Sequence, residues 1–97
     1  MKISDLFNVK GYGVVITGGA SGIGLGFAEA LGANGARVTI LDVHARRIAD
    51  ETKRLREAGI DIRGEIVDVT DHKALDAAIG EAARVYGRLD VVFANAG

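Results

Sequence analysis

Three glycines in a short segment could bind a phosphate group. Gly18, Gly22 and Gly24 lie within residues 17–24, directly after the apolar, β-branched run 14–16. Such a run is typical of a strand buried on both faces of a parallel sheet. A turn lined by glycine lets a pyrophosphate approach the backbone, because no Cβ stands in the way, and the free N–H groups of a following helix attract negative charge. The segment therefore predicts a phosphate site.

An acidic side chain suggests which molecule carries that phosphate. Asp42 ends the second strand-like run, residues 37–42, roughly 20 residues beyond the loop, where dinucleotide folds place a ribose-binding acid. A carboxylate there accepts hydrogen bonds from the ribose hydroxyls of adenosine and repels a 2′-phosphate. The combination predicts a dinucleotide site, and the alternative, that Asp42 is a solvated strand end, stays open.

Two other nucleotide-binding folds fit the sequence poorly. A P-loop requires Lys and Ser or Thr after its last glycine, whereas Leu25 and Gly26 stand at those positions. Methyltransferases that bind S-adenosylmethionine typically place an acidic residue just before their glycines, and residues 15–17 contain none. Kinase, GTPase and methyltransferase functions are therefore disfavoured.

The elements that must position these residues alternate between strand and helix. Apolar residues at helical spacing from Ile23 to about Asn34 predict a first helix that docks through Ile23, Phe27, Ala30 and Leu31. A second, more polar helix is predicted to bury Ile48, Thr52 and Leu55 and to end near Gly59.

The second half of the chain repeats this alternation. Residues 60–68 predict an edge strand with one wetter face, and Thr70 or Asp71 can cap a third helix that ends at Gly87. Residues 89–94 predict a buried fourth strand. The apolar stripe of the third helix consists of Leu75, Ala78, Ile79, Ala82, Ala83 and Tyr86.

The order βαβαβαβ predicts an α/β fold with a doubly wound, Rossmann-like parallel sheet. The strand order 3-2-1-4 fits best, because strands 1 and 4 read as buried and strand 3 as an edge. Residues 1–97 are expected to form one partial dinucleotide-binding domain, truncated after strand 4, with its carboxy-terminal half absent. The first two helices would cover one face of the sheet, and the third would cover the other only in part.

Composition narrows the choice of partners. The chain has 97 residues, 48% hydrophobic and 26% charged, with a net charge of -1, so it lacks the basic excess that favours nucleic acid or an anionic membrane. No cysteine is present, which excludes disulfides and thiolate nucleophiles, and two histidines are too few for a histidine cluster, so no metal site is expected. No window approaches the roughly 18 apolar residues of a membrane span. Cytoplasmic localisation is the default expectation.

Three motifs occur in an order that one family of proteins uses. Thr17-Gly18 with Gly22 and Gly24 has the spacing Thr-Gly-x-x-x-Gly-x-Gly, which differs from the G-x-G-x-x-G of other dinucleotide folds. Asp68-Val69 follows the third strand, and Asn95-Ala96-Gly97 follows the fourth. Together with the acid at the end of the second strand, these motifs make the chain from about residue 7 resemble the amino-terminal part of a short-chain dehydrogenase/reductase.

The resemblance implies roles for individual residues. The side chain of Asp68 and the backbone that follows it would meet the adenine ring, although Asp68 could instead cap the loop before the third helix. Asn95 would help to hold the central sheet, and Ala94 replaces the first Asn of the Asn-Asn-Ala-Gly signature found in the family. The residues expected to bind cofactor are Thr17, Gly18, Ser21, Gly22, Ile23, Gly24, Asp42, Asp68, Val69, Asn95, Ala96 and Gly97.

The resemblance also implies a reaction. The parent protein would transfer a hydride between nicotinamide and a small alcohol or carbonyl substrate, and would form a homo-oligomer. NAD is favoured over NADP, because Ser21 and Val43 stand where NADP-preferring members carry a basic residue. The alternative is a non-catalytic dinucleotide-binding module or regulator.

No residue of this chain is expected to be catalytic. The family uses a Ser and a Tyr-x-x-x-Lys pair, but Ile16 and Asp90 stand four residues after Tyr12 and Tyr86. We therefore expect the 97-residue chain to bind the adenosine and pyrophosphate half of the cofactor and to be inactive alone.

Overall fold

The strands form one parallel sheet in the order β3-β2-β1-β4, as the sequence predicted. The computed structural model describes residues 8–95. Its strands are β1 (Gly13–Thr17), β2 (Arg37–Asp42), β3 (Ile62–Ile66) and β4 (Val91–Ala94). Its helices are α1 (Gly22–Ala33), α2 (Ala45–Glu57) and α3 (His72–Tyr86).

The register places β1, the one strand of residues 8–95 that is buried throughout, between β2 and β4. Ile16 of β1 pairs with Ile40 of β2 on one side and with Phe93 of β4 on the other. Every residue of β1 is buried, because helices cover both of its faces. This is the environment that its continuous apolar run predicted.

Two hydrophobic cores lie on opposite faces of the sheet. The core under α1 and α2 contains Val14, Ile16, Val38 and Ile40 from the strands, whereas the core under α3 contains Val15, Leu41 and Val67. Neighbouring residues of one strand thus contribute to different cores, as side-chain alternation requires. The predicted division of helices between the two faces is confirmed.

The first helix docks through a different stripe from the one predicted. Ile23 is 69% exposed and Phe27 is 40% exposed, whereas Gly24, Ala28 and Gly32 are buried. A Cβ on Gly24 would clash with the carbonyl oxygen of Gly18, and one on Gly32 would clash with Ile60. The expected stripe was wrong for Ile23 and Phe27, because α1 approaches its neighbours too closely at the glycines for larger side chains to fit between them. The prediction is confirmed for Leu31, which is half-buried and packs against the core.

The other two helices bury the predicted faces. Ile48, Thr52 and Leu55 of α2 are buried, as are Ala78, Ala82 and Tyr86 of α3. The carboxylate of Asp71 caps α3 by accepting a hydrogen bond from Ala74 N–H at 3.1 Å. Gly87 ends the helix in the left-handed conformation, with φ +73°.

The fourth strand is less buried than its apolar sequence predicted. No residue of β4 is fully buried, and Val92 is 47% exposed. Among residues 8–95, β4 pairs only with β1, and the helices pack mainly over β1, β2 and β3. The prediction of a doubly buried strand is therefore wrong for this part of the chain.

Candidate functional site

An open cleft lies at the carboxyl ends of the four strands. It has a volume of about 350 Å³. In doubly wound sheets, ligands bind at this edge where the strand order reverses, which here is between β1 and β4. Its lining residues are Gly18, Ser21, Gly22, Ile23, Leu41, Asp42, Val43, His44, Val67, Asp68, Val69 and Asn95.

Most of the predicted cofactor-binding residues meet at this cleft. Two of them lie behind it: Thr17 is buried at the end of β1, and Gly24 is buried in the first turn of α1. Ala96 and Gly97 were also predicted, and they lie outside the described residues. The predicted residues that line the cleft are Gly18, Ser21, Gly22, Ile23, Asp42, Asp68, Val69 and Asn95.

The glycine loop turns the chain from β1 into α1 at the cleft. Gly18 and Gly22 have φ values of +64° and +58°, in the left-handed region that favours glycine. The backbone of α1 accepts its first hydrogen bond at Ser21 O, from Leu25 N–H at 3.3 Å. The Ser21 side chain does not cap the helix. The amides that precede Leu25 therefore begin a helix whose positive end meets the cleft, an arrangement suited to an anion.

Asp42 is buried at the end of β2, and its carboxylate is already engaged. Oδ2 accepts a hydrogen bond from Ala20 N–H and Oδ1 accepts one from His44 N–H, each at 3.2 Å. Asp42 is only 8% exposed. Because an ionised carboxylate has about four acceptor sites, it keeps acceptor capacity for a ligand hydroxyl.

Asp68 is exposed and organises its own loop. Its Oδ1 accepts hydrogen bonds from the Thr70 hydroxyl at 2.7 Å and from Thr70 N–H at 2.9 Å. The Thr70 hydroxyl, followed by the backbone amide, lowers the pKa of Asp68 below its usual value. The alternative capping role is therefore present in the structure, and it coexists with a place on the cleft wall.

Asn95 joins the end of β4 to the end of β1. Its backbone N–H donates to Thr17 Oγ1 at 3.0 Å, and its Nδ2 donates to Gly18 O at 3.4 Å. A Cβ on Gly18 would clash with the carbonyl oxygen of Asn95. The loop and the fourth strand are thus in direct contact at the cleft, in keeping with a sheet-holding role for Asn95.

Four lining residues were not among the predicted cofactor-binding residues, although Val43 was used to judge the cofactor preference: Leu41, Val43, His44 and Val67. All four lie within two residues of Asp42 or Asp68 at strand ends. The signal that could have found them is the parallel sheet itself, because the carboxyl ends of its strands share one edge. Val43 is 53% exposed and adds an apolar surface beside the two acids.

The described residues carry binding chemistry. The lining set combines backbone amides, two carboxylates and apolar side chains, and none of these lining residues is Tyr or Lys. Within residues 8–95, no three His, Asp or Glu side chains come together as metal ligands. In the same range, every helix is too short or too polar to cross a membrane.

Comparison with known proteins is consistent across sequence and structure. The short chain dehydrogenase family model matches residues 13–97. The 5-keto-D-gluconate 5-reductase of Escherichia coli strain K12 is 36% identical over 95 residues, which are 98% of this chain and 37% of the reductase. The chain therefore spans little more than a third of that relative's length.

Two solved structures illustrate the structural similarity. A short chain dehydrogenase/reductase from Burkholderia phymatum in complex with NAD has a TM-score of 0.84 at 30% identity, over 89% of this chain and 31% of that one. An actinorhodin polyketide ketoreductase with NADPH has a TM-score of 0.81 at 34% identity, over 100% of this chain and 35% of that one. The chain belongs to the short-chain dehydrogenase/reductase family.

Proposed function

We propose that the protein is an NAD(H)-dependent oxidoreductase and that residues 1–97 form its adenosine- and pyrophosphate-binding half. The observation that carries the proposal is the meeting of the glycine loop with Asp42 at one cleft. The amides at the start of α1 suit a pyrophosphate, and the carboxylate suits a ribose diol. The apolar side chains of Val43 and Val69 on the same wall suit the adenine ring.

Asp42 favours NAD over NADP in this proposal. A carboxylate at the ribose position repels a 2′-phosphate, and the burial of Asp42 strengthens that repulsion. The two structural neighbours include one complex with NAD and one with NADPH, so family membership alone leaves the choice open. Arg46, in the first turn of α2, has a side chain that is 96% exposed and lies 4.0 Å from Asp50, as expected for a residue on a solvated helix face.

The residue types present indicate that this part of the protein binds the cofactor and that other residues transfer the substrate proton. When bound, the cofactor would supply a nicotinamide for hydride exchange with the substrate carbon. The residues described here bind and orient the adenosine end of the cofactor, and they include no Tyr-Lys pair to move the substrate proton. We therefore assign proton transfer to residues beyond Gly97, and we propose a small alcohol or carbonyl compound as substrate.

Cofactor binding to the full-length gene product tests the proposal. NADH and NADPH are titrated separately while nicotinamide fluorescence is recorded. We expect NADH to bind at least about 10-fold more tightly, a difference of roughly 1.4 kcal/mol. Failure of both nucleotides to bind at millimolar concentration would overturn the function.

Two further results would contradict parts of the proposal. Tighter binding of NADPH would overturn the cofactor preference. Binding of NADH without turnover on a broad panel of alcohols and carbonyl compounds would contradict the oxidoreductase assignment and would favour a non-catalytic dinucleotide-binding module.

A further inference from the structure

Three consecutive amides of the glycine loop donate to the end of β2. Gly18 N–H donates to Leu41 O at 2.7 Å, and Gly19 N–H reaches the same oxygen at 3.3 Å. Ala20 N–H donates to Asp42 Oδ2 at 3.2 Å. A backbone carbonyl of β2 therefore accepts from Gly18 and Gly19, whereas the Asp42 side chain accepts from Ala20.

The backbone of β2 has no acceptor to offer Ala20. Successive carbonyl groups of a strand alternate between its two neighbours, so Leu41 O faces the loop after β1, whereas Asp42 O accepts Val67 N–H on the β3 side at 2.9 Å. Ala20 is only 2% exposed, so its amide would be buried and unsatisfied without the Asp42 carboxylate. An unsatisfied buried donor is costly, and the carboxylate thus holds the loop where the backbone ladder ends.

The second oxygen of the same carboxylate accepts a hydrogen bond from the turn after β2. Asp42 Oδ1 accepts His44 N–H at 3.2 Å, at the turn that leads into α2. His44 is exposed and lines the cleft. One side chain therefore links the loop after β1 to the turn after β2, and both segments line the cleft.

We propose that Asp42 is a positioning residue for the pyrophosphate loop, in addition to its proposed contact with ribose. It acts through Ala20 N–H, which sets the path of the chain into Ser21 and Gly22 at the start of α1. The part of this inference that concerns nucleotide binding rests on the proposed function. Replacing Asp42 would then weaken diphosphate binding even for a ligand that has no ribose hydroxyls.

The first experiment measures the affinity of the full-length gene product for 2′,3′-dideoxyadenosine 5′-diphosphate, a probe that has no ribose hydroxyls. Asp42→Asn and Asp42→Ala both remove the negative charge, so both relieve the same repulsion of the diphosphate. Only Asp42→Ala also removes the acceptor. In Asp42→Asn we expect the single carbonyl oxygen to face Ala20, because that amide is buried whereas His44 is exposed.

The two variants should therefore differ although their charges are equal. We expect Asp42→Ala to bind the dideoxy probe about 3- to 10-fold more weakly than Asp42→Asn, the range of one hydrogen bond of ordinary net strength. Equal affinities would overturn the positioning role and would leave Asp42 with a ribose contact alone.

Amide hydrogen exchange on the ligand-free protein gives a readout that needs no nucleotide. We expect Ala20 N–H to exchange several-fold faster in Asp42→Ala than in Asp42→Asn or the wild type, while Ile16 N–H in β1 is unchanged. Equal exchange at Ala20 in all three proteins would overturn the inference. Absence of nucleotide binding by the wild type would overturn the proposed function instead, and the exchange result would still decide the role of Asp42.

Discussion

The hydroxyl of Tyr86 lies 2.8 Å from Oγ1 of Thr39, and this contact joins the last turn of α3 to the middle of β2 on the face of the sheet that α3 covers. Both residues are buried, with Thr39 at 0% and Tyr86 at 8% exposure. Each hydroxyl therefore satisfies the other in a place where water has little access. Helix α3 is therefore held to the sheet by this hydrogen bond as well as by the apolar packing of the core beneath it.

Removing either hydroxyl should destabilise the fold, and removing both should restore part of the loss. Thr39→Val leaves the Tyr86 hydroxyl buried without its partner, and Tyr86→Phe does the same to Thr39. We expect each single variant to lose about 1 to 2 kcal/mol and the double variant to lose less than the sum. Urea unfolding of the full-length gene product measures all four free energies. Additive losses would show that the two hydroxyls do not interact.

The same tyrosine should make stability fall at alkaline pH. Burial, the largest cause, raises the pKa of Tyr86 above its usual value of 10.0. The unfolded chain then loses this proton first, so the contribution is complete below about pH 10 and is lost as pH rises through the folded pKa. We expect the stability gap between wild type and Tyr86→Phe to shrink above pH 10, as measured by urea unfolding from pH 8 to 11. A gap that is constant over this range would contradict the prediction.

Replacing two glycines of α1 by alanine should have opposite effects on the stability of the fold. In Gly24→Ala the new Cβ would clash with Gly18 O and would lie 2.8 Å from Asn95 Nδ2, so we expect a loss of about 1 to 3 kcal/mol and weaker NADH binding.

Gly26→Ala is the matched control, because its Cβ would meet nothing within 4 Å. We expect this variant to gain about 0.5 to 1 kcal/mol from helix propensity and to retain cofactor affinity. Thermal unfolding and fluorescence titration measure the two properties. Equal stability of the two variants would show that α1 does not approach Gly18 as closely as described.

Asp90 should make stability depend on acid pH. Its carboxylate accepts two hydrogen bonds from Arg88, at 2.7 and 2.8 Å, and one from Gly13 N–H at 2.9 Å. The Arg88 hydrogen bond, followed by the Gly13 amide, holds the pKa of Asp90 below its usual value. The contribution is therefore present above about pH 4 and is lost as pH falls through the folded pKa.

Asp90→Asn isolates this effect, because asparagine does not titrate. We expect wild type to be more stable at pH 7, and we expect the gap to narrow as pH falls from 5 to 2. Urea unfolding across this range provides the measurement. A gap of the same size at pH 7 and pH 2 would assign the contribution of Asp90 to its hydrogen-bond geometry alone.

The sequence by itself determined the strand order and most of the candidate site. Runs of apolar residues identify the central strands, and the polar residues that end them, Asp42, Asp68 and Asn95, meet because parallel strands share a carboxyl edge. Each of these signals is local in the sequence. A general rule of parallel sheets then brings the ends of the strands together. They could be interpreted without knowing any contact between distant residues.

The tertiary structure alone decided how closely the elements approach one another. The docking face of α1 could not be predicted from hydrophobic periodicity, because Gly24 and Gly32 act through the side chains that they lack. The link between Ala20 and Asp42 joins residues 22 positions apart. It exists because the backbone of β2 has no carbonyl left on that side of the strand. The sequence shows which side chains are apolar or acidic. Only the pairing of the strands shows which backbone carbonyl groups are already hydrogen-bonded and which amides still need a partner.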